Sequence, residues 1–305
     1  MSVALVTGAN GFIGSNLTKK LLENGWIVKG MVLPGTSITF IDNLDIEIVS
    51  GNITEPDSLI KASKNTDVIF HLAALAKDWG NPELFFKINA EGTKNLLEAA
   101  VRNNISRFVL MSSVAVHNYS GHYRSTEDTP RDCRLDFPYG LSKIKAEDYV
   151  TDFYEKKLIE SVIIRPGLFP FGPNDITSFC KLANALKHGL FSYINGGNTV
   201  ISTAYVENLC YGIELAGTKK QASGKTYLIT DNIEISWKNL IEKFCKELEI
   251  KPPFLSIPYF SGTAIALILE KFWSILKISG EPPITKYRVS LMYKDLFFAS
   301  EKVTD

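Results

Sequence analysis

Alternating strand and helix patterns over the first 165 residues predict a doubly wound α/β fold built on a parallel sheet. Three observations carry this expectation. Short, near-continuous apolar runs recur, as they do where helices cover both faces of a sheet. Helical patterns with their own start and stop signals separate those runs. The chain has 305 residues, 45% hydrophobic and 22% charged, so it can bury a sizeable core and lacks the composition of a disordered or fibrous protein.

The elements follow in order. Val3–Thr7 is the first strand, and Phe12–Glu23 reads as a helix that stops at Asn24-Gly25. Trp26–Val32 and Ile46–Val49 are the second and third strands, and a short helix begins at Pro56. Asp67–His71 is the fourth strand. A long helix runs from about Glu83 to Asn103, with Asn81-Pro82 as its start signal. Arg107–Met111 is the fifth strand, Tyr139–Lys156 a helix and Ser161–Arg165 the sixth strand. The rhythm then breaks where Pro166, Gly167, Pro170, Gly172 and Pro173 crowd together. From about Ser236 the tail reads as mostly helical and ends in an aromatic-rich stretch, Tyr287 to Phe298.

Charge excludes one class of partner. Lys+Arg and Asp+Glu are both 33, giving zero net charge, and no basic cluster stands out, so no nucleic acid partner is expected. Cys133, Cys180, Cys210 and Cys245 show no zinc or redox spacing and read as reduced core thiols of a cytoplasmic protein. No charged segment followed by an apolar one and a cleavage site opens the chain, so no targeting peptide is expected. His71 reads as a packed core residue, and His117 and His122 as surface residues of a loop; without a partner at metal spacing, no metal is expected. The apolar core of Tyr259 to Ile278, Ala264 to Leu269, is six residues long and Glu270-Lys271 interrupts it, which is too short to span a bilayer. This segment is expected to be a helix capping a pocket; contact with a membrane surface is conceivable but not favoured.

Thr7-Gly8-Ala9-Asn10-Gly11-Phe12-Ile13-Gly14 lies between the first strand and the first helix. Glycines there permit a tight turn and close approach of backbone to a pyrophosphate, with the helix N-terminus facing the diphosphate. In this strand–turn–helix context the pattern predicts a Rossmann-type dinucleotide site. The dinucleotide-binding part then covers 1–165 and about 197–232, and a smaller, mostly helical substrate-binding part covers about 166–196 and 233–305. Adenosine selectivity is read at the end of the second strand, where Leu33 is followed by Pro34-Gly35-Thr36-Ser37. There is no acid for a 2′-hydroxyl and no arginine for a 2′-phosphate. NAD and NADP both stay open, with Thr36 and Ser37 hydroxyls pointing toward NADP.

Tyr139 and Lys143 are four apart at the start of a helix and share a face. A phenol titrates near 10, and a nearby ammonium lowers that value. The pair suits proton exchange with an alcohol or ketone. Ser112-Ser113 closes the fifth strand at the ligand-binding edge, where a hydroxyl can orient a substrate oxygen.

Together these motifs resemble the extended short-chain dehydrogenase/reductases, within the NAD-dependent epimerase/dehydratase group. They comprise Thr-Gly-x-x-Gly-x-x-Gly at 7–14, His71-Leu72-Ala73-Ala74 after the fourth strand, Ser112-Ser113, and Tyr139-Gly140-Leu141-Ser142-Lys143. The resemblance implies a catalytic triad of Ser113, Tyr139 and Lys143, with Ser113 preferred because it directly precedes Val114-Ala115-Val116. It implies cofactor contacts from Gly8, Asn10, Gly11, Phe12, Ile13, Gly14, Leu33, Asn52, Ile53, Leu72, Ala73, Ala74, Met111, Tyr139, Lys143, Pro166 and Gly167. Asn89 resembles a family asparagine on the long helix. A homodimer through the helices 83–103 and 139–156 is the family expectation.

Departures from the family pattern narrow the branch. Ser113-Val114-Ala115 stands where dehydratases carry Thr-Asp-Glu, which disfavours dehydration. The asparagine and arginine that anchor a sugar-nucleotide diphosphate are absent after Arg165-Pro166-Gly167 and at Ile201. Arg165-Pro166-Gly167 and Glu281-Pro282-Pro283-Ile284-Thr285 resemble the 3β-hydroxysteroid (sterol) dehydrogenase-like branch. Leu168, Phe169, Phe171, Phe179, Phe254, Phe260, Phe272, Trp273, Phe297 and Phe298 either line an apolar substrate pocket or fill cores. The expected activity is NAD(P)-dependent interconversion of a hydrophobic secondary alcohol and ketone. A nucleotide-sugar epimerase with tightly bound NAD, or a non-catalytic cofactor-sensing protein, are the alternatives.

Overall fold

The computed structural model describes residues 1–134 and 136–302. Seven strands form its main sheet: β1 (Val3–Thr7), β2 (Ile27–Val32), β3 (Glu47–Ser50), β4 (Val68–His71), β5 (Arg107–Met111), β6 (Glu160–Pro166) and β7 (Thr226–Ile229). Their order is β7-β6-β5-β4-β1-β2-β3, and every neighbouring pair is parallel. The order reverses between β1 and β4. The crevice above the carboxyl ends of those two strands is where a doubly wound sheet binds its ligand.

Successive strand residues point to opposite faces, and both faces are covered. Val6, Phe70, Val109 and Ile164 pack on one side with Leu17 and Leu21 of α1 (Phe12–Glu23). Their chain neighbours Leu5, Ile69, Phe108 and Ile163 pack on the other side with Leu96 and Leu97 of α3 (Gly92–Arg102). The continuous apolar runs of the sequence are thus strands buried on both faces. α2 (Pro56–Ala62) and α4 (Pro138–Glu155) join α3 on that second face, and α6 (Val206–Thr218) joins α1 on the first. The segment between them, α5 (Phe179–Lys187), belongs to the smaller part of the molecule.

The long helix expected from Glu83 is not uniform. It starts at Pro82–Phe85, where the Asn81 side chain accepts the Glu83 N–H. A wider π-helical turn, Phe86–Glu91, then leads into α3. Such turns are enriched at functional sites, and this one carries Asn89.

The smaller part holds α7 (Trp237–Glu247), α8 (Tyr259–Leu276) and α9 (Lys286–Ser290). It also holds a four-stranded sheet in which Leu296–Phe298 lies between Val200–Ile201 and His122–Ser125. The aromatic tail therefore ends as a buried strand. His122–Ser125 lies in the segment grouped by sequence with the dinucleotide-binding part, yet it pairs with the tail.

Three expectations are corrected here. His117 and His122 are buried, with Phe298 stacked on both at ring-centroid distances of 5.3 and 4.8 Å. Cys180 is exposed, whereas Cys133, Cys210 and Cys245 are buried. The 259–276 segment is one unbroken helix of 18 residues, long and apolar enough by composition to cross a membrane. Glu270 lies within it, with its carboxylate turned inward and accepting the Lys286 N–H at 2.8 Å.

Candidate active site

The glycine turn and the loop after β4 meet over the β1/β4 crevice. Gly8 has a positive φ of 67°, and a Cβ there would lie 3.0 Å from the Ala73 Cα. A Cβ on Gly14 would lie 2.1 Å from the Gly8 carbonyl oxygen, so only glycine lets α1 start this close to the turn. Asn10 holds the far side by donating to Thr36 Oγ1 and the Ser37 carbonyl, and Phe12 and Ile13 pack onto the core beneath. Gly11 caps α1 with no side-chain hydrogen bond, leaving its first amides free of a side-chain partner. This cradle fits the diphosphate of a dinucleotide.

Thr7 ties the two loops together. Its Oγ1 accepts the N–H groups of Leu72 and Ala73, each at 3.1 Å, with Ala74 following on. That leaves its own proton for His71 Nδ1, 2.8 Å away. The other ring nitrogen then carries the proton and donates to Thr93 Oγ1 at 3.0 Å, whose hydroxyl donates to the Asn89 carbonyl. Burial, aided by the charge of Lys143, lowers His71 to about 3, so the ring is neutral. His71 is a buried residue, as expected, and here it sets the geometry of the cradle.

The two serines after β5 separate cleanly. Ser112 is buried and donates to Glu147 Oε1 at 2.6 Å. Ser113 is partly exposed at the carboxyl edge; its hydroxyl accepts the Ala115 N–H and lies near enough to Tyr139 to favour its ionised form. Tyr139 and Lys143 share the inward face of α4 with Glu147, at positions i, i+4 and i+8. Asn89 fixes the start of that helix. Its amide clamps the backbone of Leu75 and donates to Ser142 Oγ, which in turn donates to the Tyr139 carbonyl.

The charges differ from the sequence expectation. The buried ammonium of Lys143 donates to the Met111 carbonyl at 2.8 Å. Burial pulls it down to about 8, opposed by Glu147. Burial pushes the Tyr139 phenol up to about 12; the neighbouring Ser113 hydroxyl opposes this and the charge of Asp78 adds to it. Lys143 does not offset that burial, because its ammonium is directed at the strand carbonyl.

The remaining expected contacts divide. Pro166 ends β6 and Gly167 follows it, with its N–H bonded to the carbonyl of Ile229, the last residue of β7. Leu33 is exposed after β2. The hydroxyls expected to receive a 2′-phosphate turn into their own loop: Thr36 donates to the Leu33 carbonyl, and Ser37 pairs with Thr39. Asn52 also turns inward, accepting from Thr54 and donating to Glu55. Ile53 is buried beneath α3.

The wall beside Tyr139 comprises Tyr119, Phe137, Leu168, Tyr287 and Leu291. The other tail aromatics divide. Phe297 and Phe298 fill a core, whereas Phe254, Phe260 and Phe272 face outward. Phe169 and Phe179 pack on Phe244, and Phe171 packs on Tyr205.

The sequence pattern of the NAD dependent epimerase/dehydratase family matches residues 4–230. The chain belongs to this family. It is an NAD-dependent enzyme of the extended short-chain dehydrogenase/reductase type. A 2-alkyl-3-oxoalkanoate reductase of Stenotrophomonas maltophilia (strain K279a) is 25% identical over 290 residues, covering 93% of this chain and 87% of the relative. A decarboxylating sterol-4-alpha-carboxylate 3-dehydrogenase of Mus musculus is 27% identical over 307 residues, covering 97% and 83%. The crystal structure of gox2253 is 29% identical with a TM-score of 0.82, covering 100% of this chain and 92% of the other.

Within this epimerase/dehydratase family member, the sequence reading missed Glu147, Tyr119, Tyr287 and Asp78. Glu147 had a signal: it continues the four-residue spacing of Tyr139 and Lys143. Tyr119 and Tyr287 hydrogen-bond each other at 3.1 Å across 168 residues of chain, which no local pattern encodes.

Proposed function

We propose that this enzyme interconverts a hydrophobic secondary alcohol and its ketone, with NAD as cofactor. The placing of Ser113 beside the Tyr139 phenol at the carboxyl edge of the sheet, with a buried lysine one turn on, carries this reading. The partly exposed Leu168 and Leu291 of the cluster that Tyr139 packs on favour a hydrophobic substrate, as do relatives named for alkyl-oxoalkanoate reduction and sterol dehydrogenation. No cationic side chain lies among residues 33–37, and the hydroxyls there are engaged, which favours NAD over NADP.

A nicotinamide dinucleotide held at the glycine turn through its diphosphate would supply hydride transfer. The protein supplies the rest. Ser113 orients the substrate oxygen, and Tyr139 exchanges a proton with it. With a pKa raised to about 12, Tyr139 holds its proton at neutral pH and is set to donate it to a ketone. Lys143, one turn on from Tyr139, holds a buried positive charge and bonds the Met111 carbonyl at the end of β5, which leads into Ser113. The same reading includes a homodimer through α3 and α4, which size-exclusion chromatography tests.

The deciding experiment follows nicotinamide absorbance with NADH and NADPH across long-chain alkyl ketones and 3-ketosteroids, with the reverse reaction run on the matching alcohols. Turnover that Tyr139→Phe abolishes supports the reading. Absence of turnover, with cofactor retained through purification and sugar nucleotides epimerised, overturns it.

A further inference from the structure

The outer face of α8 inverts the rule for a soluble helix. Phe260, Ala264, Ile268, Phe272 and Ile275 form a stripe at helical spacing on the solvent side. Phe260 is 79% exposed, Ile268 69% and Ile275 67%. Only Gly262 and Ala266 are buried, and they lie on the opposite face against Ile194 and Val289. The helix's one acid, Glu270, is also on that inward side, bonded to the Lys286 N–H. A surface helix of a globular protein shows the reverse arrangement, with charge outward and apolar residues inward. The segment leading into α8 adds Phe254, 97% exposed.

Charge identifies the occupant. Residues 250–279 hold three lysines, Lys251, Lys271 and Lys277, all exposed, and Glu270 is their only acid. An apolar face accompanied by exposed lysines complements a bilayer surface with anionic headgroups. A second copy of the chain would bring lysines against lysines with no acid on the face to meet them. We propose that α8 seats the protein on an anionic membrane surface, lying in the interface. Spanning the bilayer would break the inward contacts of Gly262, Ala266 and Glu270. α8 packs on α9, and α9 carries Tyr287 of the wall beside Tyr139, so the seated face is one helix away from the candidate active site. Attachment needs no catalysis, and its test is independent of the reaction proposed above.

The test is co-sedimentation of the purified full chain with vesicles of phosphatidylcholine alone and of phosphatidylcholine mixed with phosphatidylglycerol. Binding to the mixed vesicles, weaker in high salt, is expected. Ile268→Asp and Phe272→Asp should each reduce that binding roughly tenfold or more. Leu190→Asp, at an exposed leucine outside the helix, should leave it unchanged. Because these side chains are exposed, each variant should keep the wild-type thermal unfolding midpoint. No binding to either vesicle overturns the proposal. So does a concentration-dependent oligomer that Ile268→Asp dissociates while vesicles are ignored, because the face is then a contact between copies.

Discussion

Arg165 at the end of β6 grips Glu147 on α4 with two parallel hydrogen bonds, Nε to Oε1 at 2.8 Å and Nη2 to Oε2 at 2.7 Å, and both side chains are buried. Ser112 and Arg131 complete the shell around the carboxylate. Burial alone would push Glu147 up, but the hydrogen bonds and charge of Arg165 outweigh it and hold the carboxyl below its ordinary value. The pair locks α4, and with it Tyr139 and Lys143, against β5 and β6, which lead into Ser113 and Gly167.

Breaking that pair from one side should therefore be costly. Glu147→Gln leaves a buried guanidinium without its counter-charge, and a loss of about 3–5 kcal/mol is expected. Urea unfolding measures it. A Glu147→Leu, Arg165→Met double variant should recover most of the loss, since neither charge is then stranded. Equal losses in the single and double variants would mean that packing volume, not charge, is what the pair contributes.

Lys143 predicts the alkaline limb of the pH profile. Its ammonium is lowered to about 8, so the positive charge one turn on from Tyr139 is present below that pH and lost above it. Tyr139, pushed up to about 12, keeps its proton throughout this range. For ketone reduction, kcat/KM should be flat from neutral pH up to about 8 and then fall, reporting the free enzyme. Lys143→Arg keeps the charge at all these pH values and should move the fall upward. A wild-type profile that stays flat above pH 9 would assign the charge to another group.

Local patterns explain what was readable in the sequence, and distant pairings explain what was not. The strands, the glycine turn and the Tyr139/Lys143 spacing depend on neighbours within one or two turns of chain. Glu147 was overlooked because a helical glutamate is ordinarily solvated; only the arrival of Arg165 on β6 makes its burial possible. His117 and His122 looked like loop residues until Phe298, at the other end of the chain, stacked on them. The aromatic residues were visible, but whether each faces a core, a pocket or solvent depends on packing. Phe298 and Phe254 have the same side chain and opposite environments. Over 259–278 the sequence shows Glu270 breaking the apolar run, but not that its carboxylate turns inward to the Lys286 N–H and leaves the outer face without an acid.

Two glycines of the turn should fail in different ways. At Gly14 an alanine methyl would sit 2.1 Å from a backbone oxygen, where neither side can yield. Gly14→Ala should lower stability by at least about 1–3 kcal/mol, as overpacking does. At Gly11 the nearest atom to an added Cβ is the Gly8 carbonyl oxygen at 3.2 Å, with φ at −83°. Gly11→Ala should fold with near-normal stability, yet place a methyl at the mouth of the cradle and weaken NADH binding by about tenfold or more. Thermal unfolding and NADH fluorescence titration separate the two effects. Normal NADH affinity in Gly11→Ala would place the diphosphate elsewhere.

Two of the buried histidines, His71 and His117, make the fold acid-sensitive. Burial lowers His71 to about 3; it lowers His117 to about 4, helped by Arg165 and His122 and opposed by the Pro130 carbonyl and Glu147. Both values lie below the unfolded 6.5, so the unfolded chain takes up protons first as pH falls. Their contribution to stability is fully present above pH 6.5 and is lost progressively from there toward pH 4 and 3. At pH 5 the unfolded state is ahead by roughly 1.5 units for each ring, or about 2 kcal/mol apiece. Urea unfolding at pH 7.5 and pH 5 should differ by about that sum. His117→Gln cannot titrate, so it should lose stability at neutral pH but show a pH dependence smaller by one histidine's share. If it keeps the full dependence, the acid sensitivity arises from other groups.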